Sequence, residues 1–427
     1  MNIRFYNARI VPFASQTAEI TEGELWVQAS TITHVGAAKA EMPAWDRELD
    51  CQGNLLLPGF KNAHAHSAMT FLRSLADDKP LLSWLHQDIL PREAQLTEED
   101  AYWLTKLAIL EYLSSGITAA FDMYMFLDAV AQSAIDAGFR MAFCGAINDF
   151  GGTARSQRED YQKFNHLHPL ISDQLGFHAE YTTSKKLMCE LAELAAELRA
   201  PVFTHNSETR DEVDGCLRRY GKTPTELMDE LGLFAYGGGG FHCVHLTAED
   251  IEIFQRRGLY AVTNGGSNLK LASGIAPLTE LAEKGVPLAL GTDGAASNNA
   301  LDFFREMFLM TGLQKLKHGA EAMNANLVLR AACHTGAHAM GISACDSLQA
   351  GKQADIVMLN LQRPNMQPLN NISKNVVYSG SKENVKMTMV AGRILYENGI
   401  FFCGTEPEEV YRRANASIKR ILSAESN

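Results

Sequence analysis

Two stretches of sequence, LLLPGFKNAHAH (55–66) and VPLALGTDG (286–294), are the first and last of eight apolar runs that decide the fold. The other six are GITAAFDMY (116–124), RMAFCGAIND (140–149), LGFHAEY (175–181), APVFTHNSE (200–208), GGGFHCVH (238–245) and LYAVTNGGS (259–267). Helix-like stretches separate the runs, which is typical of a parallel sheet with crossover helices. The runs are apolar throughout rather than alternating, as expected for strands buried on both faces. Eight strand–helix units predict an α/β fold, a (β/α)8 barrel of the TIM type.

The two ends of the chain differ from the middle in their residue pattern. Segments such as GELWVQAS (23–30) and ADIVMLNL (354–361) carry β-branched and aromatic residues between Gly, Ser and Asn breaks, which favours short strands. Near the C-terminus, RRANASIKRIL (412–422) has the pattern of an amphipathic helix. We expect three parts: a small composite β-sandwich domain from residues 1–56 and 347–400, a catalytic barrel over 57–346, and a C-terminal helical tail over 401–427.

The composition of the 427-residue chain argues against several functions. Lys and Arg number 38 and Asp and Glu 50, which gives a net charge of −12 and argues against binding nucleic acid. No uninterrupted apolar run of about 18 residues is present, and the N-terminus lacks a signal-peptide profile. The eight Cys residues include no CxxC pair and are typical of reduced thiols. We expect a cytoplasmic homo-oligomer with a small-molecule ligand and no membrane partner.

Groups that bind metals or transfer protons follow the apolar bodies of these runs. In a barrel all strand C-termini open on one face, where active sites lie, so residues far apart in sequence converge in space. The residues are His64 and His66 after the first run, His178 after the fourth, His205 and Glu208 after the fifth, His242 after the sixth and Asp293 after the eighth.

A candidate metal site follows from this placement. His64 and His66 are two residues apart on an extended segment, so their side chains project to the same side and can grip one cation. His205 and Asp293 would add a nitrogen and an oxygen ligand. Three imidazoles and one carboxylate, with a position left for water, suit one divalent ion in a catalytic site, Zn²⁺ or alternatively Fe²⁺. A lone His is more often a packed or surface residue, but the repeated placement at strand ends favours the ligand interpretation.

The same residues offer proton chemistry. A bound divalent ion lowers the pKa of its water to about 7 and so provides hydroxide near neutral pH. Asp293 can accept the proton of that water while contacting the metal. Glu208 can carry a proton to the substrate, because a partly desolvated carboxylic acid titrates near the working pH. His242 can hydrogen-bond the attacked oxygen and stabilise developing charge. These three residues are the candidate catalytic groups.

Five motifs carry a resemblance to a known family: PGFKNAHAH (58–66), THNSET (204–209), FHCVH (241–245), SNLKLASGIAP (267–277) and GTDGAASNN (291–299). In this order they resemble the amidohydrolase superfamily, and within it the methylthioadenosine / S-adenosylhomocysteine deaminase branch, alongside the triazine hydrolases. The resemblance runs through nearly the whole chain. It implies a barrel with a mononuclear metal site and hydrolytic deamination of a purine or similar ring.

Carried onto this sequence, the resemblance implies further roles. Glu93 falls where the family places a carboxylate for ribose hydroxyls, and His178 where it has a substrate-contacting His. Ser297 and Asn298, just past the candidate metal ligand Asp293, would support that ligand. Binuclear relatives use a carboxylated Lys at the end of strand four, where this chain reads GFHAEY, so one metal ion is expected.

The chain departs from the family pattern on strand three. Where close deaminases have an Arg, this chain has Cys144, and a thiol cannot replace a bidentate carboxylate clamp. This departure argues against an amino-acid-bearing substrate such as S-adenosylhomocysteine. Arg155 and Arg158, expected on the following loop, offer compensation, and Arg155 is the candidate for contact with the substrate.

We therefore expect a hydrolase that acts on C–N bonds of cyclic amidines, an aminohydrolase. Metal-bound hydroxide would attack the ring carbon of a purine nucleoside such as adenosine, methylthioadenosine or S-adenosylhomocysteine, and ammonia would be released. An alternative within enzymes is an amidohydrolase acting on a free purine, pterin or triazine ring, as a deaminase or a chlorohydrolase. An alternative of another class is a non-catalytic barrel scaffold, which the full set of ligand candidates argues against.

Overall fold

The computed structural model describes residues 1–13, 18–40, 42–79 and 81–424. Four parts of the predicted regions lie outside the described residues: 14–17 and 41 in the terminal domain, 80 in the barrel and 425–427 in the tail. The described chain forms two sheets, one in the middle of the sequence and one from both ends, together with the helices that connect and cover the strands.

Eighteen strands are found in the described residues. They are β1 (Asn2–Ile10), β2 (Thr21–Gln28), β3 (Thr31–Gly36), β4 (Arg47–Asp50), β5 (Leu55–Pro58), β6 (Phe60–His66), β7 (Ile117–Asp122), β8 (Arg140–Cys144), β9 (Ile171–Ala179), β10 (Val202–Asn206), β11 (Gly238–His242), β12 (Tyr260–Thr263), β13 (Leu288–Leu290), β14 (Asp293–Gly294), β15 (Ile356–Leu359), β16 (Val385–Val390), β17 (Arg393–Glu397) and β18 (Ile400–Phe401).

The same residues contain seventeen α-helices, and none of them is both long and apolar enough to cross a membrane. They are α1 (Leu81–Trp84), α2 (Leu90–Glu93), α3 (Glu98–Ser114), α4 (Leu127–Ala137), α5 (Ala154–Leu167), α6 (Lys185–Leu198), α7 (Arg210–Tyr220), α8 (Pro224–Glu230), α9 (Ala248–Arg257), α10 (Gly265–Lys270), α11 (Leu278–Glu283), α12 (Ala295–Asn298), α13 (Phe303–His318), α14 (Ala325–Arg330), α15 (Gly336–Ala339), α16 (Ile372–Tyr378) and α17 (Pro407–Ala424). Short 3-10 helices lie at Ser67–Leu72, Glu180–Thr182, Ser343–Cys345, Pro364–Met366 and Lys382–Asn384, and π-helical turns at Leu85–Ile89 and Ala331–Thr335.

Strands β6 to β14 close into a barrel. From β6 to β13 each strand pairs in parallel with the next one along the chain. β14 follows β13 closely and pairs in parallel with β6, with Asp293 opposite Ala65. Because β13 and β14 together occupy one position in the ring, the described residues form an eight-stranded parallel barrel. The predicted (β/α)8 architecture is confirmed.

The second sheet joins the two ends of the chain. Its strands follow the order β18-β17-β16-β15-β5-β1-β2-β3, with β4 paired to β1. The N-terminal and C-terminal parts meet where β15 pairs antiparallel with β5. This sheet has its own buried core, which includes Phe5, Leu25, Ile356 and Met389. The predicted composite β domain is therefore confirmed as one sheet built from both termini.

The first apolar run, 55–66, serves both sheets. β5 belongs to the terminal sheet and β6 to the barrel, with Gly59 between them. A Cβ atom on Gly59 would lie 2.1 Å from Cγ2 of Thr118 on β7, so the close approach at this crossing requires glycine. The sequence does not show where the chain passes from one sheet to the other, because the residues on both sides of Gly59 are buried and apolar.

Local capping fixes where the crossover helices begin. At the start of α3, Oγ1 of Thr97 accepts from the N–H of Asp100, and the Asp100 carboxylate accepts from the N–H of Thr97 at 2.9 Å. Thr247 and Asp250 form the same capping box at the start of α9. α9 ends at Gly258, whose φ of 63° lies in the left-handed region that favours glycine.

Side-chain contacts attach the tail and the terminal sheet to the barrel. Helix α17 lies against α3, where Ala414 and Ile421 are buried and the guanidinium of Arg420 pairs with Asp100. Arg140 on β8 and Asp355 just before β15 are both buried, and their charged groups lie 2.9 Å apart. Contacts from both ends of the chain therefore hold the barrel.

Candidate metal and catalytic site

Four imidazoles and one carboxylate gather where the barrel strands end. His64 and His66 lie at the end of β6, His205 on β10, His242 at the end of β11 and Asp293 at the start of β14. All five are buried or nearly so. The strand ends thus bring together the residues that the sequence predicted to converge.

The distances within this cluster are short enough for one cation. Oδ1 of Asp293 lies 3.1 Å from Nε2 of His66 and 3.6 Å from Nε2 of His64. The ring centroid of His64 is 4.9 Å from that of His205. Two groups of three residues each place all their ligand atoms within 4.8 Å of one another, and His64 belongs to both. The two groups are His64, His66 and Asp293, and His64, His205 and His242.

His64 provides the test of whether these residues fit a metal. Its side chain is fully buried and stacks on Phe241 with 3.9 Å between ring centroids. Among the described residues, neither of its ring nitrogens has a hydrogen-bond partner. Burial, followed by the charges of nearby imidazoles, holds the pKa of His64 well below its usual range, so the ring is neutral. A neutral buried imidazole with a free lone pair costs stability unless something binds it, and the residues present fit a divalent cation.

Main-chain carbonyls orient two of the other rings. Nδ1 of His66 lies 2.5 Å from the carbonyl oxygen of Met123, and Nδ1 of His205 lies 2.6 Å from that of His178. A carbonyl only accepts, so Nδ1 carries the hydrogen in both rings. Nε2 of each ring is then free to act as a ligand, which is the usual arrangement of metal-binding His.

Two serine hydroxyls hold the carboxylate of Asp293. Ser267 and Ser297 donate to Oδ2 at 2.6 and 2.9 Å, which leaves Oδ1 facing the imidazoles. Burial disfavours the charged carboxylate, but the contact with His66 and the other nearby imidazoles hold the pKa of Asp293 well below its usual range. The backbone φ of Asp293 is 61°, a left-handed value that costs energy in a residue other than glycine and is often found at functional sites.

His242 lies beside the cluster, with its Nε2 edge toward Asp293. Its Nδ1 is 2.7 Å from Oδ1 of Asn268, and its Nε2 is 3.9 Å from Oδ2 of Asp293. An amide oxygen only accepts, so Nδ1 of His242 carries a hydrogen. The φ of His242 is 68°, so the backbone is left-handed here also. The ring is therefore fixed in place to interact with a group bound next to Asp293.

Glu208 is a buried acid next to His242. Oε1 of Glu208 accepts from the hydroxyl of Ser273 at 3.2 Å and lies 3.7 Å from Nδ1 of His242. Burial raises the pKa of Glu208. The carboxylate of Glu212 accepts from the N–H of Ser207 and of Glu208 at 2.9 and 2.8 Å, which fixes the loop after β10. Glu208 is thus a buried carboxyl group that keeps its proton to higher pH than an ordinary Glu does.

A cavity of about 1020 Å³ opens over these groups. Glu93 and Tyr124 line it, and the hydroxyl of Tyr124 donates to Oε1 of Glu93 at 2.7 Å. His178 also lines it, with Nδ1 2.9 Å from Oγ1 of Thr182. Burial lowers the pKa of His178 to about 4, so its ring is neutral. The cavity has the size of a small-molecule site.

The two residues expected to support Asp293, the candidate metal ligand, lie in different places. Ser297 contacts the carboxylate of Asp293 directly, as described above. Asn298 does not: its Nδ2 donates to the carbonyl oxygen of Thr292 at 2.7 Å and to Oε1 of Glu306 at 2.9 Å. Asn298 therefore holds the chain around Asp293 rather than its carboxylate.

The structure does not bring Arg155 to the cavity. Thr153 caps α5 through a capping box with Ser156, so Arg155 and Arg158 lie on a helix, and the expectation that they lie on a loop is wrong. The side chain of Arg155 is 86% exposed and pairs with Glu159 at 3.1 Å. Arg158 pairs with Glu197 on α6. Neither residue lines the cavity.

Four polar residues that hydrogen-bond the candidate site residues were not expected from the sequence: Tyr124, Ser267, Asn268 and Ser273. Three of them lie in the motif SNLKLASGIAP (267–277). That motif therefore indicated that this segment belongs to the site. Which of its side chains contacts Asp293, His242 or Glu208 depends on the turn of α10 and the bend after it.

Fold and site together define a class of protein. A closed (β/α)8 barrel with imidazoles and carboxylates at its strand ends, inside a cavity that suits a small molecule, is an enzyme of the metal-dependent barrel type.

Comparison with known proteins gives the family. Residues 55–395 match the amidohydrolase family. The chain is 36% identical over 430 residues to a 5-methylthioadenosine/S-adenosylhomocysteine deaminase of Syntrophomonas wolfei subsp. wolfei, which covers 99% of this chain and 100% of that protein. It is 37% identical over 392 residues to a 5′-deoxyadenosine deaminase of Methanopyrus kandleri, which covers 90% of this chain and 91% of that protein. The chain belongs to the amidohydrolase family.

A solved structure agrees with this assignment. The crystal structure of an adenosine deaminase from Xanthomonas campestris with bound zinc matches with a TM-score of 0.93 and 32% sequence identity, over 99% of this chain and 98% of that chain. The family resemblance inferred from the five motifs is confirmed.

Proposed function

We propose that this protein is a metal-dependent aminohydrolase that deaminates an adenosine-type nucleoside. The observation that carries the proposal is the fully buried His64, without a hydrogen-bond partner in the described residues and 3.6 Å from the carboxylate of Asp293. The buried acid Glu208 lies 3.7 Å from His242 of the same cluster. The names of the deaminase relatives support the reaction class.

His64, His66, His205 and Asp293 would hold one divalent ion, and the nitrogen-rich donor set favours Zn²⁺. The zinc in the adenosine deaminase of Xanthomonas campestris supports this choice of ion. Once bound, such an ion acidifies and orients a water molecule. The four residues contribute a fixed geometry, because carbonyls and hydroxyls already hold the rings of His66 and His205 and the carboxylate of Asp293.

Glu208 is the proposed proton donor to the ring. Its carboxyl group is buried and its pKa is raised, so a proton is present on it at higher pH than on an ordinary Glu. Protonating a ring nitrogen makes the adjacent carbon of an amidine-like ring more electrophilic. Ser273 restrains the carboxyl group through Oε1. Together these features let Glu208 hold a proton in one position and deliver it to one atom of the substrate.

Asp293 and His242 complete the proposed proton handling. The low pKa of Asp293 keeps its carboxylate charged and able to accept a proton from the attacking water. A hydrogen bond to Asn268 fixes the ring of His242, and Nε2 of that ring lies 3.9 Å from Oδ2 of Asp293. It is thus placed to hydrogen-bond the oxygen that adds to the ring and to stabilise the charge that develops there.

Glu93 supports a nucleoside rather than a free base. It is a buried acid in the cavity wall, restrained by Tyr124, and a carboxylate is a suitable acceptor for two sugar hydroxyls. The neutral ring of His178 supplies a further contact for the substrate. A free purine, pterin or triazine ring, the alternative substrate class, has no sugar hydroxyls for Glu93 to bind.

The test is ammonia release by the purified protein after loading with Zn²⁺ in place of any metal carried through purification. The substrates are adenosine, methylthioadenosine, free adenine, a pterin and a triazine. We expect both nucleosides to be deaminated and the free rings to be poor substrates. Turnover of a free ring in preference to the nucleosides would overturn the nucleoside assignment, and no ammonia from any compound would overturn the aminohydrolase itself.

A further inference from the structure

The cavity is lined by several acidic side chains besides the candidate metal ligands. Besides Glu93, Glu208 and Asp293, its wall includes Asp128, Asp160 and Asp173. No Lys or Arg of the described residues lines the cavity. A carboxylate or phosphate on the substrate would therefore enter without a cationic partner, which is unfavourable in a partly desolvated site.

Asp173 on β9 is the least satisfied of these acids. It is 4% exposed, yet neither oxygen of its carboxylate has a hydrogen-bond partner among the described residues. Its main-chain groups are satisfied, because Asn165 accepts from its N–H at 3.1 Å and donates to its carbonyl oxygen at 3.0 Å. Burying a carboxyl group without a hydrogen-bond partner costs stability, so an apolar side chain would fill this space at lower cost.

A second unpartnered acceptor lines the same cavity. Gln157 on α5 is buried, and its Nε2 donates to the carbonyl oxygen of Gly176 at 2.7 Å. Its Oε1 has no partner among the described residues, and Gln157 also lines the cavity. A Cβ atom on Gly145 would lie 1.3 Å from Nε2 of Gln157, so this side chain lies directly over the glycine backbone at the end of β8. The unsatisfied atoms of Gln157 and Asp173 are all acceptors.

Asp160 adds charge to the same region. It is one turn further along α5 than Gln157, and it is half-buried in the cavity wall. Burial, followed by the charge of Asp160, holds the pKa of Asp173 well above its usual range. The charge of Lys163 acts on Asp160, but the ammonium group of Lys163 pairs with Asp128. A cation bound between Asp160 and Asp173 would satisfy both acids.

Cys144 links this region to the catalytic centre. It ends β8, its side chain faces the barrel interior, and burial together with the charge of Asp173 keeps its thiol protonated by raising its pKa. A Cβ atom on Gly176 would lie 2.6 Å from its Sγ, so the space around the thiol is narrow. We name the part of the cavity lined by Cys144, Gly145, Gln157, Asp160 and Asp173 the acidic branch.

We propose that the acidic branch binds a protonated amine carried by the substituent at the ribose 5′ position of the substrate, and that it discriminates against a carboxylate there. The proposal rests on the proposed nucleoside deaminase function and adds the substrate class. An ammonium group offers three donors and a positive charge, which match three unpartnered acceptor atoms and two acids. A neutral alkyl substituent is tolerated because water molecules can then hydrate the acidic branch.

The experiment compares three adenosines that differ only in the group replacing the 5′-hydroxyl: aminoethylthio, propylthio and carboxyethylthio. Ammonia release gives kcat/KM for each with the Zn²⁺-loaded protein. Binding of the matching inosine products is measured by calorimetry as a readout independent of turnover. The variants are Asp173→Asn and Asp160→Asn, and the control is Glu159→Gln, which removes one charge from the solvent-facing side of the same helix.

We expect the wild type to prefer the aminoethylthio over the carboxyethylthio compound by about tenfold or more in kcat/KM, and the products to bind in the same order. Each branch variant should reduce kcat/KM for the aminoethylthio compound more than for the propylthio compound and so reduce the preference, and Glu159→Gln should retain the preference. Because Asp160 is half-buried, Asp160→Asn tests the proposal even if Asp173→Asn fails to fold. Deamination of all three compounds without a preference, or a preference that both variants retain, would overturn the acidic branch and leave the deaminase intact. Adenosine is assayed beside them: ammonia from adenosine but from none of the three would overturn the acidic branch alone, and no ammonia from adenosine either would overturn both.

Discussion

The hydroxyl of Tyr124 donates a 2.7 Å hydrogen bond to Oε1 of Glu93, and both groups are buried in the wall of the candidate active site. Burial raises the pKa of Glu93, whereas the bond from Tyr124 opposes that shift. The bond uses one oxygen of Glu93 and leaves the other for a ligand. The pair therefore presents a fixed acceptor to whatever enters the cavity.

Replacing Glu93 with Gln should affect nucleosides and free bases differently. The amide keeps the size of the side chain but removes the charge, so kcat/KM for adenosine should fall about ten- to a hundredfold, as for the loss of a charged hydrogen bond. Any residual turnover of adenine should not change. The control is Glu98→Gln on the exposed first turn of α3. An equal loss for nucleoside and base would contradict a role for Glu93 in sugar binding.

Removing the metal should abolish activity and lower thermal stability together. Chelation leaves the buried His64 without a partner, so the melting temperature should fall and return on adding Zn²⁺, because a ligand that binds only the folded state stabilises it. His64→Asn should contain less than one metal ion per chain, whereas His166→Asn on the surface of α5 should bind metal normally. Ammonia release that persists in a fully chelated sample would rule out metal dependence.

Glu208→Gln should stop the reaction without loss of the metal. The amide cannot deliver a proton, so kcat should fall about a thousandfold, within the range for general acid–base groups. Metal content should be that of the wild type, because Glu208 contacts Ser273 and His242 rather than the other imidazoles. Asp211→Asn, an exposed acid at the start of α7, is the control. A variant with near-normal kcat would assign the proton transfer to another residue.

The sequence predicted the barrel and the cluster at its mouth for the same physical reason. Strands buried on both faces give apolar runs, and parallel strands all end on one side, so a polar residue after each run must converge with the others. His64, His66, His205, His242 and Asp293 were found in this way and meet in the structure. The exact residue at which run 55–66 passes from one sheet to the other was not predictable, since both halves are buried.

The positions that the sequence did not predict depend on local turns and on tertiary contacts. Arg155 was expected on a loop, but Thr153 and Ser156 form a capping box that starts α5 earlier and turns Arg155 to solvent. Ser267 and Asn268 meet Asp293 and His242 only because α10 turns back over the barrel mouth. A run of polar residues such as SNLK does not show by itself which side chain faces the site.

The two serines that hold Asp293 should contribute to metal affinity. Both hydroxyls donate to Oδ2, so the double substitution Ser267→Ala with Ser297→Ala frees the carboxylate to rotate. We expect metal affinity to fall about ten- to a hundredfold, as for other groups that orient metal ligands. Competition with a chromogenic chelator measures it, with Ser114→Ala on α3 as the control. Unchanged affinity would show that Asp293 keeps its orientation without the hydroxyls.

Glu306 on α13 is a buried acid behind the site whose ionisation should affect stability. Its Oε2 accepts from the N–H of Gly266 at 3.0 Å, and its Oε1 accepts from Nδ2 of Asn298 at 2.9 Å. Burial raises the pKa of Glu306 from 4.5 to about 7, although both hydrogen bonds oppose the shift. The folded protein therefore binds this proton more tightly than the unfolded chain does.

The sign of the pH dependence follows from that difference. The stability contributed by the protonated Glu306 is fully present below pH 4.5 and is lost as the pH rises through about 7. Glu306→Gln cannot titrate, so the free energy of unfolding of the wild type relative to this variant should decrease by up to about 3 kcal/mol over that range. Urea unfolding at several pH values measures the difference, with Glu321→Gln, an exposed acid, as the control. A difference that stays constant from pH 4.5 to about 7 would show that Glu306 ionises in the folded protein as readily as in the unfolded chain.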